Sequence, residues 1–198
     1  MAENDNAVFT PASGYIFRGT VGTAAPTPAE LAAWKPGDTL AGWESVGHTQ
    51  RDELPEFGNE GGDSETKGTW QNASFKQVVT EAPVDYVTFN VHQFDSSNLE
   101  LYYGAPNAST TSGVFAVKEA PTKTVEVALL VIIRDGETNL GFWAPRVSVK
   151  REGSIELNVE DFGVMPLRAT ILKLTNPAPM DLFQWINEDL FPVEEEEV

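Results

Sequence analysis

The side chains able to exchange protons near neutral pH are two histidines, His48 and His92, far apart in the chain, and cysteine is absent. That removes disulfides, thiolate metal ligands and a cysteine nucleophile. His92-Gln93-Phe94-Asp95 sets two metal-capable groups three residues apart, but a metal site needs three or four ligands, and Asp95 falls where a helix cap is expected. His48 reads as a surface or loop residue. The acidic clusters Asp52-Glu53 and Glu60 to Asp63 could hold calcium weakly, yet they lack the twelve-residue spacing of an EF-hand and read as solvated loop. No nucleophile-elbow pattern supports a Ser-His-acid triad. Gly19-Thr20-Val21-Gly22 and the glycines from Gly58 to Gly62 lack the lysine of a phosphate loop and read as turns. No catalytic, cofactor-binding or metal-binding residue is therefore assigned, and no enzyme is expected.

Five tryptophans and eleven phenylalanines could line a sugar-binding face. Trp43, Trp70 and Trp143 lie in or beside strand-like runs, where large aromatics fill cores, and core packing is the favoured reading. Thirteen basic against thirty acidic residues give a formal charge of −17, which repels phosphates and argues against specific nucleic-acid binding. With 41% apolar residues and no run near the roughly 18 a spanning helix needs, no membrane segment is expected. The N-terminal residues lack a basic region followed by an apolar run, so folding in a cytosol is expected.

The elements that would carry any function are mostly strands. Pro28 to Trp34 suits one or two helical turns before Pro36-Gly37. His48 to Gly62 is polar, acidic and glycine-rich with Leu54, Pro55 and Phe57 inside it, and it reads as a long loop, a kind that is usually functional or disordered. Its apolar cluster suggests docking. Thr66 to Trp70, Ser74 to Thr80 and Tyr86 to His92 have strand composition. Asp95 to Gly104 reads as a helix capped by Asp95 or Ser96 and ended by Gly104.

From Val125 to Ile133 one alternate face is wholly apolar, and the other becomes apolar toward the end, where Asp135-Gly136 supplies the pair expected of a tight hairpin. Leu140 to Lys150 returns as a strand, Ile155, Leu157 and Val159 alternate in another, and Arg168 to Leu174 makes a last one. From Asp181, Leu182, Trp185, Ile186 and Leu190 fall on one helical stripe, which predicts an amphipathic helix over 181–191. A helix that short is marginal alone, so its stripe must dock on its own sheet or on a neighbour. The chain is thus expected to be mainly β, an antiparallel sandwich or barrel with a short flanking helix and a C-terminal amphipathic helix. It reads as one domain over 1–198, with a flexible 1–12 segment and an acidic 192–198 tail.

Several stretches in fixed order carry a resemblance. They are Gly14-Tyr15-Ile16-Phe17-Arg18-Gly19-Thr20-Val21-Gly22-Thr23, Gly42-Trp43-Glu44-Ser45-Val46-Gly47-His48-Thr49, Phe57 to Gly62 followed by Trp70, Asp85-Tyr86-Val87-Thr88-Phe89-Asn90, Leu101-Tyr102-Tyr103-Gly104 and the late Asp-Gly hairpin. Together they resemble the major tail-tube proteins of long-tailed bacteriophages, notably those of actinobacteria, across roughly residues 10 to 190. The resemblance implies a β-sandwich whose subunits form hexameric rings, with inner strands joined into one barrel and rings stacked into the tube that DNA crosses during ejection. It implies a virion tail component made in the host cytoplasm, with tape-measure, tail-tip and tail-terminator proteins as partners.

On that basis Asp52, Glu53, Leu54, Pro55, Glu56 and Phe57 become the candidate contact between rings, and Leu182, Trp185, Ile186 and Leu190 the candidate contact between subunits. Glu126 and Glu156, on the polar faces of their strands, become candidate lumen acids that would keep DNA from sticking. The competing reading is a virion or cell-surface β-sandwich that binds carbohydrate or a receptor, which would show exposed aromatics and glycan binding without self-assembly. A hydrolase would show an activity abolished by one serine or carboxylate substitution.

Overall fold

A computed structural model of the chain describes residues 7–119 and 124–191. The run with the strictest alternation forms its centre. Strands β1 (Ser13–Gly19), β2 (Trp43–Ser45), β3 (Glu56–Glu60), β6 (Val84–Val91), β7 (Val125–Asp135), β8 (Thr138–Arg151) and β9 (Met165–Ile171) make one antiparallel sheet in the order β2-β1-β7-β8-β9-β6-β3. Strands β4 (Ser64–Lys67) and β5 (Lys76–Val79) form a separate two-stranded hairpin, and β10 (Gln184–Ile186) pairs β8. Helices α1 (Pro28–Ala33) and α2 (Ser96–Tyr103) complete the described elements.

The sheet is barrel-like but not a closed barrel. Past β2 the chain passes from one strand to another: the Val46 N–H donates to the Ile16 carbonyl of β1, and the Gln50 N–H to the Asn90 carbonyl of β6, each at 3.0 Å. This curls the sheet around a first core that includes Ile16, Val87, Phe89, Leu129, Val131 and Val147. Helix α2 adds Leu101 and Tyr102 to that core. The other face of β7 supplies Leu130 and Ile132 to a second core with Phe17, Leu31, Trp34 and Trp143. Two cores on two faces explain why β7 is apolar on both faces near its end, since period-two alternation sends successive side chains to opposite sides.

Local chemistry fixes the joints. Thr27 and Glu30 cap α1 reciprocally, the Glu30 N–H donating to Thr27 Oγ1 and the Thr27 N–H to the Glu30 carboxylate. The Thr27 N–H, and after it the Thr27 hydroxyl, donate to the Glu30 carboxylate and hold that carboxyl below its ordinary pKa. Leu31 then reaches the sheet over Gly141, where a β-carbon would stand 2.7 Å from the leucine side chain. Between β7 and β8 the pairing slips so that Pro145 and Arg146 oppose Ala128 alone. A proline has no N–H to give a ladder, and a bulge is where a strand tolerates one.

The hairpin reverses one residue later than the Asp-Gly pair suggests. Asp135 pairs Thr138, leaving Gly136 and Glu137 as the central residues. Gly136 has φ +60°, and among the described residues no non-glycine residue has positive φ. That is the φ pattern of a turn with glycine at its first central position, a type that also matches strand twist. No atom lies within 4 Å of a β-carbon built on Gly136, so Gly136→Val should act through backbone strain alone. We expect a loss of about 1–3 kcal/mol, read as a lower denaturant midpoint with an unchanged slope.

Three further expectations are corrected. Within the 48–62 segment, residues 56–60 are strand β3, paired to β6 from Glu56↔Thr88 to Glu60↔Val84. The Ile155, Leu157 and Val159 run is no strand; Glu156 makes a lone bridge to Val164. Residues 181–191 are not helical: they contain β10, whose Gln184, Trp185 and Ile186 pair Trp143, Phe142 and Gly141 of β8. The reason is backbone demand. Strand β9 covers only Val147 to Arg151 of β8, and a buried strand with unpaired N–H and C=O groups needs a partner. Residues 1–6 and the acidic 192–198 segment lie outside the described residues.

Candidate assembly interface

The residues with chemical potential are engaged structurally. Asp95 caps α2 by accepting from the Asn98 N–H at 2.9 Å. The His92 ring nitrogen Nδ1 lies 3.0 Å from the Gly163 carbonyl, and its ring centroid is 5.4 Å from that of Phe162. His48 is exposed. Among the described residues no group of three or more His, Cys, Asp or Glu is placed to hold a metal. Of the tryptophans expected in a core, Trp143 is buried and Trp43 half-buried, whereas Trp70 is wholly exposed.

The 52–57 stretch divides in two. Asp52, Glu53 and Leu54 are exposed and Pro55 half-buried, with Glu53 accepting from the Asn90 side-chain amide at 2.7 Å. Glu56 opens β3, and Phe57 turns inward, its ring 4.8 Å from Phe142 and 5.0 Å from Trp185. Leu54, Pro55, Tyr15, Ile133, Leu140 and Trp185 line a cleft of about 710 Å³ at the mouth of the curled sheet.

The C-terminal stripe is split by its strand geometry. Ile186 is buried in the second core beside Leu130, Ile132 and Trp143. Trp185 points to the opposite face, 5.0 Å from Phe142. Leu182 is exposed and Leu190 half-buried. Side chains placed together by a helical period are thus sent to different faces by a period of two.

Glu126 and Arg146 form a two-pronged ion pair on the sheet's outer face, with both bonds at 2.9 Å. The hydrogen bonds that Arg146 donates to the Glu126 carboxylate raise the Arg146 pKa against a smaller effect of burial. Further along that face Arg168 lies 2.6 Å from Glu60 and 3.4 Å from Glu152, with its guanidinium 3.7 Å above the Tyr86 ring. Glu126, Glu60 and Glu152 on this face are therefore offset by arginines. Glu156 lies in the exposed 152–164 loop between β8 and β9.

The exposure of two features escaped sequence reasoning, although strand composition was read at Thr66 to Trp70, at Ser74 to Thr80 and in the Ile155 to Val159 run. The β4–β5 hairpin has no buried residue and projects between β3 and β6. The 152–164 loop exposes Leu157, Val159 and Phe162. A signal for the first was present: Ser64-Glu65-Thr66-Lys67 offers no apolar residue on either face of a strand.

A family model described as phage tail tube protein matches residues 1–197 of this chain. The chain is 52% identical over 196 residues to the major tail protein Gp23 of Mycobacterium phage D29, covering 96% of each. It is 50% identical over 200 residues to the major tail protein Gp23 of Mycobacterium phage L5, covering 98% of each.

Proposed function

The chain belongs to the phage tail tube protein family, and from that premise we propose that its copies close into hexameric rings that stack into the tail tube, the conduit for DNA ejection. It is a structural protein of the virion tail and not an enzyme. The observation that carries the proposal is the 50–52% identity to two major tail proteins, which covers 96–98% of each chain.

The sheet supports it physically. Strands β2 and β3 end the strand order and leave edges to be paired, and unpaired edges are aggregation hazards that closed assemblies remove. By the same resemblance we propose the tape-measure, tail-tip and tail-terminator proteins as further partners, with DNA present only in passage. We keep Asp52, Glu53, Leu54 and Pro55 as a proposed contact around the apolar cleft. Leu182 and Leu190 are the proposed neighbour contacts of the C-terminal segment, because Ile186 serves its own core. Glu126 and Glu156 remain the proposed lumen acids, with Glu156 the stronger because Arg146 offsets Glu126.

Electron microscopy of the purified protein across a concentration series tests the proposal. Rings or hollow tubes that increase with concentration, or on addition of a tail-tip initiator, are expected. A strictly monomeric protein in the presence of that initiator would overturn it. In assembled tubes the inner surface should map as acidic or neutral; a predominantly basic lumen would leave solubility as the explanation of the −17 charge.

A further inference from the structure

Copies of a chain with a formal charge of −17 repel one another, so contacts between them favour surfaces that carry no charge. The longest uncharged run in the sequence is residues 101–117, which covers the end of α2 and the loop leading toward β7. That loop is ordered by its own bonds. The Asn107 side chain accepts from the Ser109 N–H at 2.9 Å and the Ala116 N–H at 3.0 Å, and it donates to the Val114 carbonyl at 3.0 Å. The Ala108 N–H donates to the Ala116 carbonyl at 2.8 Å, and Phe115 stacks on Tyr103 at the end of α2. Val114 and Val117 are left facing outward, 46% and 38% exposed. A loop already fixed before it binds loses less entropy on association.

A second nearly uncharged surface is the cleft of about 710 Å³ lined by Leu54, Ile133, Leu140 and Trp185 among others, where Arg51 is the one charged residue among the described residues of the lining. Its rim is acidic, because Asp52, Glu53 and Glu56 flank Leu54 and Pro55 and are exposed. No residue of the 101–119 segment lines the cleft of its own chain. The loop stands at the other end of the sheet: Tyr102, next to the Tyr103 on which Phe115 stacks, donates its hydroxyl to the Gly153 carbonyl just past the end of β8. The cleft lies where β8 begins, at Leu140. From Leu140 to Arg151 is roughly 35 Å along the strand.

The geometry points to a docking contact in which the 107–118 loop of one copy seats Val114 and Val117 in the cleft of a second copy. The flanking charges agree. Lys118 and Glu119 follow Val117 and are exposed, with no ion pair to either among the described residues. The rim offers Asp52 and Arg51, so each charge meets its opposite across the contact. The 152–164 loop exposes larger apolar side chains, Leu157 at 79% and Phe162 at 74%. It also carries Glu156, Glu160 and Asp161 with no base between residues 154 and 164, and the acids of the rim repel it. Because loop and cleft are different patches, the contact is head-to-tail and joins copies in series. The inference rests on the tube reading and names two surfaces through which its copies meet.

Because the chain has no cysteine, an introduced pair reports on the contact without interference. The full-length double variants V114C/L54C and V117C/L54C are assembled, oxidised with diamide and run on a denaturing gel. A disulfide needs Cα atoms within about 7 Å, so at least one double variant should give a ladder of covalent multimers, whereas each single-cysteine variant should stop at the dimer. Val117→Asp should raise the protein concentration at which rings or tubes appear by roughly tenfold or more, as for the loss of an interface hot spot, with thermal melting unchanged. If Val117→Asp also melts lower, the ladder or its absence decides alone. Assembled double variants that give nothing beyond the dimer, or normal assembly of Val117→Asp, would overturn the docking contact while leaving the tube reading intact. A wild-type chain that forms neither rings nor tubes would overturn both.

Discussion

A chain ending before Asp181 is expected to lose its native fold, or to survive only as an aggregation-prone species. Strand β10 covers the backbone edge of β8 from Gly141 to Trp143, and its removal leaves that edge bare at the centre of the molecule. Ile186 goes with it, uncovering Leu130, Ile132 and Trp143. Truncating one buried isoleucine to alanine costs about 2–5 kcal/mol, a large part of the roughly 5–15 kcal/mol that holds a domain folded. The full deletion should cost more than Ile186→Ala alone. Circular dichroism and denaturant unfolding of both proteins check this: a truncated chain that unfolds cooperatively at the wild-type midpoint would show that β10 is dispensable, and that the segment serves neighbours instead.

The second large effect is expected at Asn139, which is 3% exposed. Its side-chain amide donates to the Leu31 and Trp34 carbonyls, both at 2.9 Å, and so satisfies the end of α1. Its own backbone carbonyl accepts from the Asn187 side chain at 2.9 Å, tying the residue after β10 to the same joint. Helix carbonyls at a C-terminus have no partner within the helix, and an unsatisfied buried acceptor costs about 1–3 kcal/mol. Asn139→Leu keeps the approximate size and removes both donors; the Leu31 carbonyl keeps the Trp34 N–H at 3.3 Å, so the Trp34 carbonyl is the one orphaned, and a loss of about 1–3 kcal/mol is expected. The check is chemical unfolding alongside Asn139→Asp, whose side chain also cannot donate when ionised. An unchanged midpoint in Asn139→Leu would mean that water satisfies α1 as well as the amide does.

These two sites also separate what can be read along the chain from what cannot. The β7–β8 hairpin, α1 and α2 were legible because their signals are local: alternation over adjacent residues, a glycine near the reversal, Pro28 at the start of one helix and Asp95 at the cap of the other. The mainly antiparallel β class followed from those signals, as did the expectation that no enzyme is present, since the sequence offers two distant histidines and no cysteine. The tail-tube resemblance was likewise carried by stretches of sequence, and comparison with the phage tail proteins bears it out.

Tertiary structure decided where a local pattern met a non-local demand. Leu182, Trp185 and Ile186 fit a helical stripe, but β8 extends beyond the cover of β9 and draws this segment into its ladder. Ile155 to Val159 has the alternation of a strand, yet among the described residues no edge lies beside it beyond Val164. Phe57 sits in an acidic, glycine-rich stretch that reads as loop, and becomes strand because β6 offers it a partner in Val87 and Phe142 a ring to pack on. Trp70 carries the composition of a core residue and is exposed because its hairpin has no layer above or below it. In each case the side chains state a preference of about a kcal/mol per residue. The pairing of backbone groups brought together from distant parts of the chain, worth as much for every bond left unmade, then selects the conformation.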